Sequence, residues 1–287
     1  MELLKANLPE SCQIYLTSDY HYGALNASKT SLHKIVEDVA RNKTSFLCNL
    51  GDSIECILPN DKRFSMASMD FQAKLMTPEA QADAIVEEFY PIKNKILVWM
   101  LGNHEHKILN TVNIARRIAK DLGVPYGSAV CKLHLTFQKQ PTIKFFLAHG
   151  SSALTSNAKD DIQRMANIQA SLKLKLQRLA GDCVGMFCGH GHQLITVNPT
   201  AESQLYLTDD GKQLHQHYRA SAEQHASYIP PESRYYGMTG SFLRLFSPPG
   251  SESVSYGEMA LYNPTEIGCL VAVIRRGQLV AIEKVVC

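Results

Sequence analysis

No stretch of this sequence approaches the roughly 18 uninterrupted apolar residues that a membrane-crossing helix requires. It also lacks an excess of either charge. Against 29 Lys and Arg stand 27 Asp and Glu, a formal net charge of +2. That balance excludes a uniformly cationic nucleic-acid coat but leaves room for a local basic groove. Met1 to Glu10 contain no apolar segment of the kind a secretory leader carries. There is no internal repeat and no low-complexity tract. Eight cysteines (12, 48, 56, 131, 183, 188, 269 and 287) are scattered, and Cys183 and Cys188 are too isolated to form a zinc ribbon. In a chain of this length such thiols are expected to be reduced core residues, not a disulfide framework. These absences predict a globular protein of the cytoplasm with no membrane association.

What the chain does have is enough apolar material, 45% over 287 residues, to bury a substantial core. The pattern begins with Gln13 to Thr17, an apolar run read as a strand, ending at Ser18-Asp19-Tyr20-His21. Ser28 to Arg41 carries Leu32, Ile35, Val36 and Val39 at helical spacing, with Ser and Thr at its start suited to capping. Ser45 to Leu50 is a second strand ending at Gly51-Asp52, so the order is β-α-β and the pairing parallel. Ile57 to Met76 has no clean period and is expected to run over the surface. Thr77-Pro78-Glu79 opens a helix through Phe89, with a Thr cap, Pro in the first turn and an acidic residue after it.

The third strand, Lys95 to Met100, runs into Leu101-Gly102-Asn103-His104-Glu105. Gly102 is expected there for backbone angles that a side chain forbids. Val112 to Leu122 reads as a helix stopped by Gly123 and Pro125. Val130 to Phe137 and Thr142 to Leu147 form an antiparallel hairpin, the second strand ending at His149. Asp160 to Leu179 is a long helix placing Ile162, Met165, Ile168, Leu172, Leu176 and Leu179 on one face. Val184 to Cys188 ends at Gly189-His190-Gly191-His192. Between about 200 and 249 the composition turns polar, read as an insertion or cap. Its His215, His217 and His225 are loosely spaced and expected at the surface. Ile267 to Ile274 and Leu279 to Val286 form a hairpin around Arg276-Gly277 that completes a sheet.

Polar clusters thus follow five strand-like runs: Asp19/His21, Asp52, Asn103/His104/Glu105, His149 and His190/His192. In α/β sheets, ligands gather where strands end. Imidazoles, carboxylates and an amide oxygen form a donor set suited to Mn, Fe, Zn or Ni, with no thiolate needed.

In order and spacing these motifs closely resemble the calcineurin-like metallophosphoesterase superfamily, over residues 14 to 192. More loosely, Thr239-Gly240-Ser241-Phe242 and Ser255-Tyr256-Gly257-Glu258 resemble phosphoesterases of phages and prophages. The resemblance implies a single domain over 1–287, a four-layer α-β-β-α sandwich. Its motif-bearing core spans 10–198, and its strands over 258–287 complete a sheet. It also implies two divalent metal ions, manganese favoured. Asp19, His21, Asp52 and His192 surround one ion; Asp52, Asn103, His149 and His190 surround the other. His104 is implied as the proton donor to the leaving group, with Glu105 orienting its ring or raising its basicity.

Serine/threonine protein phosphatases of that superfamily place Arg before Gly-Asn-His-Glu and an Asp-Arg pair after Gly-Asp. Here Leu101 and Ser53-Ile54-Glu55 occupy those positions. A dianionic monoester profits from arginine forks, so a phosphodiester of a nucleotide or nucleic acid is favoured. A repair-type DNA nuclease, a phosphomonoesterase and a metal-free scaffold are the alternatives. The residues that bind substrate are left open; for a small nucleotide a shaped pocket lined by Tyr235, Tyr236 or Arg234 of the 200–249 region would serve.

Overall fold

Two β-sheets lie face to face, and each carries helices on its outer side. A computed structural model describes residues 1–58, 75–199, 205–218, 223–250 and 254–287. In chain order the elements are β1 (Glu2–Asn7), β2 (Cys12–Thr17), α1 (Lys29–Arg41), β3 (Ser45–Asn49), α2 (Pro78–Phe89) and β4 (Ile96–Trp99). There follow α3 (Asn103–His106), α4 (Ile114–Leu122), β5 (Val130–Thr136), β6 (Ile143–Ala148), α5 (Asp161–Leu176), β7 (Gly185–Cys188) and β8 (Leu194–Val197). The last are β9 (Leu205–Asp209), β10 (Leu214–Tyr218), β11 (Tyr235–Thr239), α6 (Tyr256–Met259), β12 (Gly268–Arg275) and β13 (Gln278–Val286). One sheet has the order β13-β12-β2-β3-β4 and the other β1-β5-β6-β7-β11-β8.

Three apolar clusters account for the four layers. Ile14, Leu16, Cys48 and Val98 of the five-stranded sheet meet Leu133, Phe145, Leu147 and Phe187 of the six-stranded sheet between the two. On the outer side of the five-stranded sheet, Leu32, Ile35, Val36 and Val39 of α1 join Ile85 and Phe89 of α2 and Ile114 and Ile118 of α4. Burying the four α1 side chains alone contributes on the order of 10 kcal/mol before chain entropy is counted. On the outer side of the six-stranded sheet, Ile168, Leu172 and Leu176 of α5 cover Phe146, Met186 and Tyr236. The order of layers is therefore α-β-β-α.

Several local expectations hold in detail. Thr77 accepts the Ala80 N–H at the start of α2, and Gly123 ends α4 in the left-handed conformation. The Arg276-Gly277 turn has positive φ at both residues, as a two-residue hairpin turn requires. All eight cysteines are free thiols, seven of them buried.

Others need correction. Ser28 stands at the start of α1, but its hydroxyl donates to the Ser31 hydroxyl and caps no backbone N–H. In α5 only Ile168, Leu172 and Leu176 are buried, while Ile162 is 82% and Met165 42% exposed. The helix ends at Leu176, so exposed Leu179 lies beyond it. Its first turns keep the 3.6-residue period, but among the described residues their apolar side chains stay exposed. The polar 200–249 region also proves to be composite. β9 and β10 form a separate two-stranded ribbon, whereas β11 is an interior strand between β7 and β8. Strands β1 and β8 carry no strong period of their own and are decided by pairing with β5 and β11. The expected surface run over 57–76 falls mostly outside the described residues, as does Arg219-Ala220-Ser221.

Candidate metal centre

The parallel strands β2, β3 and β4 of one sheet, and β6 and β7 of the other, all end at the same rim. The ladder between β2 and β3 continues past their ends. Asp19 N–H donates to Gly51 O at 3.0 Å and His21 N–H to Asp52 O at 3.1 Å. Two approaches of main chain make this possible. A Cβ on Gly102 would stand 2.0 Å from the Asp52 nitrogen, and one on Gly189 2.8 Å from Ser18 Oγ. Gly102 has φ of −94°, an ordinary extended value. Glycine is therefore needed there for proximity to Asp52, not for its backbone angles.

The backbone is most contorted at this rim. Asp19, His21, Asp52, His190 and His192 all have φ between 47° and 67°. Each such residue costs roughly 1–2 kcal/mol. They are five of the nine non-glycine residues with positive φ among those described, so the strain is concentrated on the expected ligands.

All seven of those ligands come together. His192 Nε2 lies 3.1 Å from Asp19 Oδ1 and 3.2 Å from His21 Nε2. His149 Nε2 lies 3.2 Å from Asp52 Oδ2 and 2.9 Å from Asn103 Oδ1, and His190 Nδ1 is 2.6 Å from that same amide oxygen. The donor atoms form the groups Asp19/His21/His192 and Asp52/His149/His190, with His21, Asp52 and His104 between them.

Outer contacts aim these atoms. Asp19 Oδ2 accepts from the His190 N–H at 2.9 Å and from the Ser18 hydroxyl, which in turn meets Thr239 Oγ1 at 2.6 Å. Asp19 Oδ1 is buried and has no hydrogen-bond partner among the described residues. His149 Nδ1 donates to Leu50 O at 2.8 Å and His21 Nδ1 to Glu55 Oε2 at 2.7 Å. A ring that gives its Nδ1 hydrogen away presents a lone pair at Nε2, the arrangement common to metal-binding histidines. The His149 lone pair then faces the Asn103 oxygen lone pair at 2.9 Å. Only a second proton or a cation makes that contact favourable. The residues thus fit divalent ions in donor chemistry, in tautomer and in one orphaned carboxylate oxygen.

Electrostatics agree. Burial alone would raise the Asp19 and Asp52 carboxyls, but His192 beside the first and His149 beside the second hold both below the usual carboxylate range. Burial works against the His149 imidazolium as well, yet Asp52 wins and lifts the ring to about 9. His190, half-buried and next to His149, is pushed down by that partial burial and by its neighbour. In metal-free protein, protons and a divalent ion therefore compete for the same nitrogens.

His104 and Glu105 both sit at the rim, but Glu105 does not touch the His104 ring. Its Oε1 accepts the Ser53 and Ile54 N–H groups at 2.6 and 3.3 Å, and its Oε2 the Gly102 N–H at 3.1 Å. It is a backbone tie between the β3 and β4 loops, and burial together with the Asp52 charge raises its carboxyl to about 7. The group on His104 Nδ1 is instead the Glu55 carbonyl, at 2.5 Å. His106 is exposed. Tyr20 stacks on Phe89 at 5.3 Å and meets Phe242 edge-on, anchoring the Asp19 loop to the core.

Ser18, Asn49, Glu55, Thr239 and Ser241 are site residues that spacing did not reveal. Asn49 Oδ1 holds the Gly51-Asp52 turn through the Gly51 N–H, and Ser241 Oγ donates to Asp19 O. Ordinary polar residues acting through one hydrogen bond have no sequence signature.

The expected pocket lining is not at this rim. β11 runs parallel to β7, so Arg234 and Tyr235 stand where the strands begin. Arg234 is 1% exposed and donates to the carbonyls of Ile229, Gln177, Ala180 and Gly181. Tyr236 is buried, with its hydroxyl on Pro231 O. His215, His217 and His225 are exposed, as their spacing suggests.

No protein-family model and no curated relative matches the sequence. Solved structures similar to it include NAD nucleotidase (NadN) from Haemophilus influenzae, 11% identical with a TM-score of 0.41 over 96% of this chain and 49% of that one. The calcineurin-like phosphoesterase YfkN from Bacillus subtilis is 14% identical with a TM-score of 0.37, covering 94% and 92%. A Vps29 single mutant from Entamoeba histolytica is 11% identical with a TM-score of 0.36, covering 96% and 99%. At such TM-scores nothing further about this chain follows from the likeness.

Proposed function

We propose that this chain is a phosphoesterase dependent on two divalent metal ions, acting on phosphodiesters of nucleotides or nucleic acid. The observation that carries this reading is the pair of residue groups at one rim, Asp19/His21/His192 and Asp52/His149/His190, the donor atoms of each lying within 4.8 Å of one another. Asp19, His21, Asp52 and His192 would hold one ion, and Asp52, Asn103, His149 and His190 the other, with Asp52 shared. Two divalent ions supply the charge that acidifies a water and neutralises phosphoryl oxygens. Manganese is favoured, with Fe, Zn and Ni as alternatives for this donor set.

The chain's own part is positioning and proton transfer. His104 is tethered through Nδ1 to the Glu55 carbonyl, and in its imidazolium form the second proton, on Nε2, passes to the departing oxygen. Glu105 keeps the two loops bearing Asp52 and Asn103 at fixed separation. Leu101 and Ser53-Ile54, where arginine forks would serve a monoester, support the diester. Retention of every candidate ligand, together with His104, speaks against a metal-free scaffold. No described helix is long and apolar enough to cross a membrane, and the free thiols fit a reducing compartment such as the cytoplasm.

The test is metal analysis followed by assay of manganese-loaded protein on a bis-aryl phosphodiester, an aryl monoester, a cyclic dinucleotide, single-stranded DNA and duplex DNA. Preference for the diesters is the expected result. Inhibition by salt confined to DNA substrates selects the nuclease. A purified protein that neither binds metal nor cleaves any of these refutes the assignment.

A further inference from the structure

Between His21 and His104, whose rings meet edge to face at 4.5 Å, stands Glu55, its side chain 14% exposed. It arrives there because the loops after β2 and β3 pair, Tyr22 N–H donating to Ser53 O and Glu55 N–H to Tyr22 O, each at 3.1 Å. Its two kinds of oxygen meet different rings. Carboxylate Oε2 takes the His21 Nδ1 hydrogen at 2.7 Å. The backbone carbonyl takes the His104 Nδ1 hydrogen at 2.5 Å, whereas Oε2 stays 3.8 Å from that nitrogen, beyond hydrogen-bond reach.

We propose that Glu55 is a positioning residue with divided duties: its side chain sets the tautomer of His21, and only its main chain sets that of His104. The first duty rests on the metal-site reading above. A carboxylate on Nδ1 makes Nε2 more basic and fixes the ring's direction, so it strengthens the ion held by Asp19, His21 and His192. The second duty follows from covalent structure, because the carbonyl survives every substitution of the side chain. The ion site and the proton donor are therefore separable at Glu55, although one residue serves both.

The experiment compares Glu55→Ala and Glu55→Gln with the unaltered protein. Metal-free samples are titrated calorimetrically with manganese(II) alone, and the imidazole tautomers are read from long-range ¹H–¹⁵N spectra. Glu55→Ala is expected to weaken one manganese site by roughly 10- to 100-fold and leave the other unchanged. Glu55→Gln, whose amide oxygen still accepts from Nδ1, loses less. In both variants His104 keeps its Nδ1–H tautomer, and in Glu55→Ala His21 loses the preference. If Glu55→Ala unfolds, Glu55→Gln carries the same comparison. Unchanged affinity at both sites with the His21 tautomer intact overturns the inference, as does a change confined to His104. Should the unaltered protein bind no manganese, the phosphoesterase reading fails, while the metal-free spectra still decide which ring the carboxylate holds.

Discussion

The two ends of the six-stranded sheet both bury charge, and they do so in opposite ways. Where β6 and β7 end, Asp19 and Asp52 face imidazoles, the backbone is left-handed at five candidate ligands, and one carboxylate oxygen has no hydrogen-bond partner among the described residues. Where β11 begins, Arg234 is as deeply buried, yet four carbonyls answer its donors. Several of them belong to the chain leaving α5, whose C-terminal end is negative and needs a cation. A charge answered by several backbone carbonyls holds a fold together. A cluster with strained backbone and an orphaned acceptor is arranged for something the chain itself does not supply.

That contrast can be broken by substitution. The largest effect is expected at Asp52, the residue proposed to be shared by both ions. Asp52→Asn should lower diester hydrolysis by on the order of 10³-fold or more and reduce bound metal, as measured by elemental analysis and steady-state assay. If the variant retains both metal and rate, the rim is not a metal centre. His104→Ala comes next. A loss of about 10²- to 10⁴-fold in turnover is expected with metal content unchanged. Undiminished turnover of a substrate with a poor leaving group excludes His104 as proton donor.

At the other rim the sign reverses, with stability falling and chemistry surviving. Arg234→Met removes the donors to four carbonyls, the bonds to Ile229 and Ala180 being buried, and should cost about 2–4 kcal/mol in denaturant unfolding, with kcat per folded molecule unaltered. A variant of native stability would mean that the carbonyls find water instead.

The smallest effect belongs to Asp182, just before β7. Lys132 and Lys144 grip its carboxylate at 2.6 and 2.8 Å and hold it well below the usual range against the opposing effect of burial. A depressed carboxyl contributes stability that is present above its unfolded value, near 4, and is lost as pH falls through the folded one. Asp182→Asn should therefore lower Tm by on the order of 1–3 °C near neutral pH, since the pair is partly exposed. The difference from the unaltered protein should shrink as the medium is acidified below about pH 4. A difference that grows on acidification contradicts the ion-pair account.

Much of the candidate site was legible in the sequence, because each candidate ligand follows a strand-like run and short apolar runs announce themselves. Asp19, Asp52 and Asn103 follow β2, β3 and β4, and His149 and His190 follow β6 and β7, so their convergence is a consequence of parallel pairing. The role of Glu105 was not legible. A carboxylate next to a histidine in sequence need not face it, since a helical turn sends adjacent side chains about 100° apart. The hydrogen-bond partner of His104 Nδ1 is instead the main-chain carbonyl of Glu55, forty-nine positions away. Arg234 and its tyrosines show the converse error. Polar and aromatic composition looks the same whether a segment lines a pocket or crosses a sheet, and only pairing with β7 and β8 tells them apart.

By itself the sequence determined most of the local elements, the parallel pairing of the first β-α-β unit and which polar residues follow each strand, because periodicity, caps and strand-end polar residues act within a few positions of the chain. Tertiary structure alone decided which hydrogen each ring gives away, which oxygen is left without a partner, and at which rim a polar segment stands. Those outcomes depend on contacts between residues tens to hundreds of positions apart, such as Ser18 with Thr239, and no local preference encodes them.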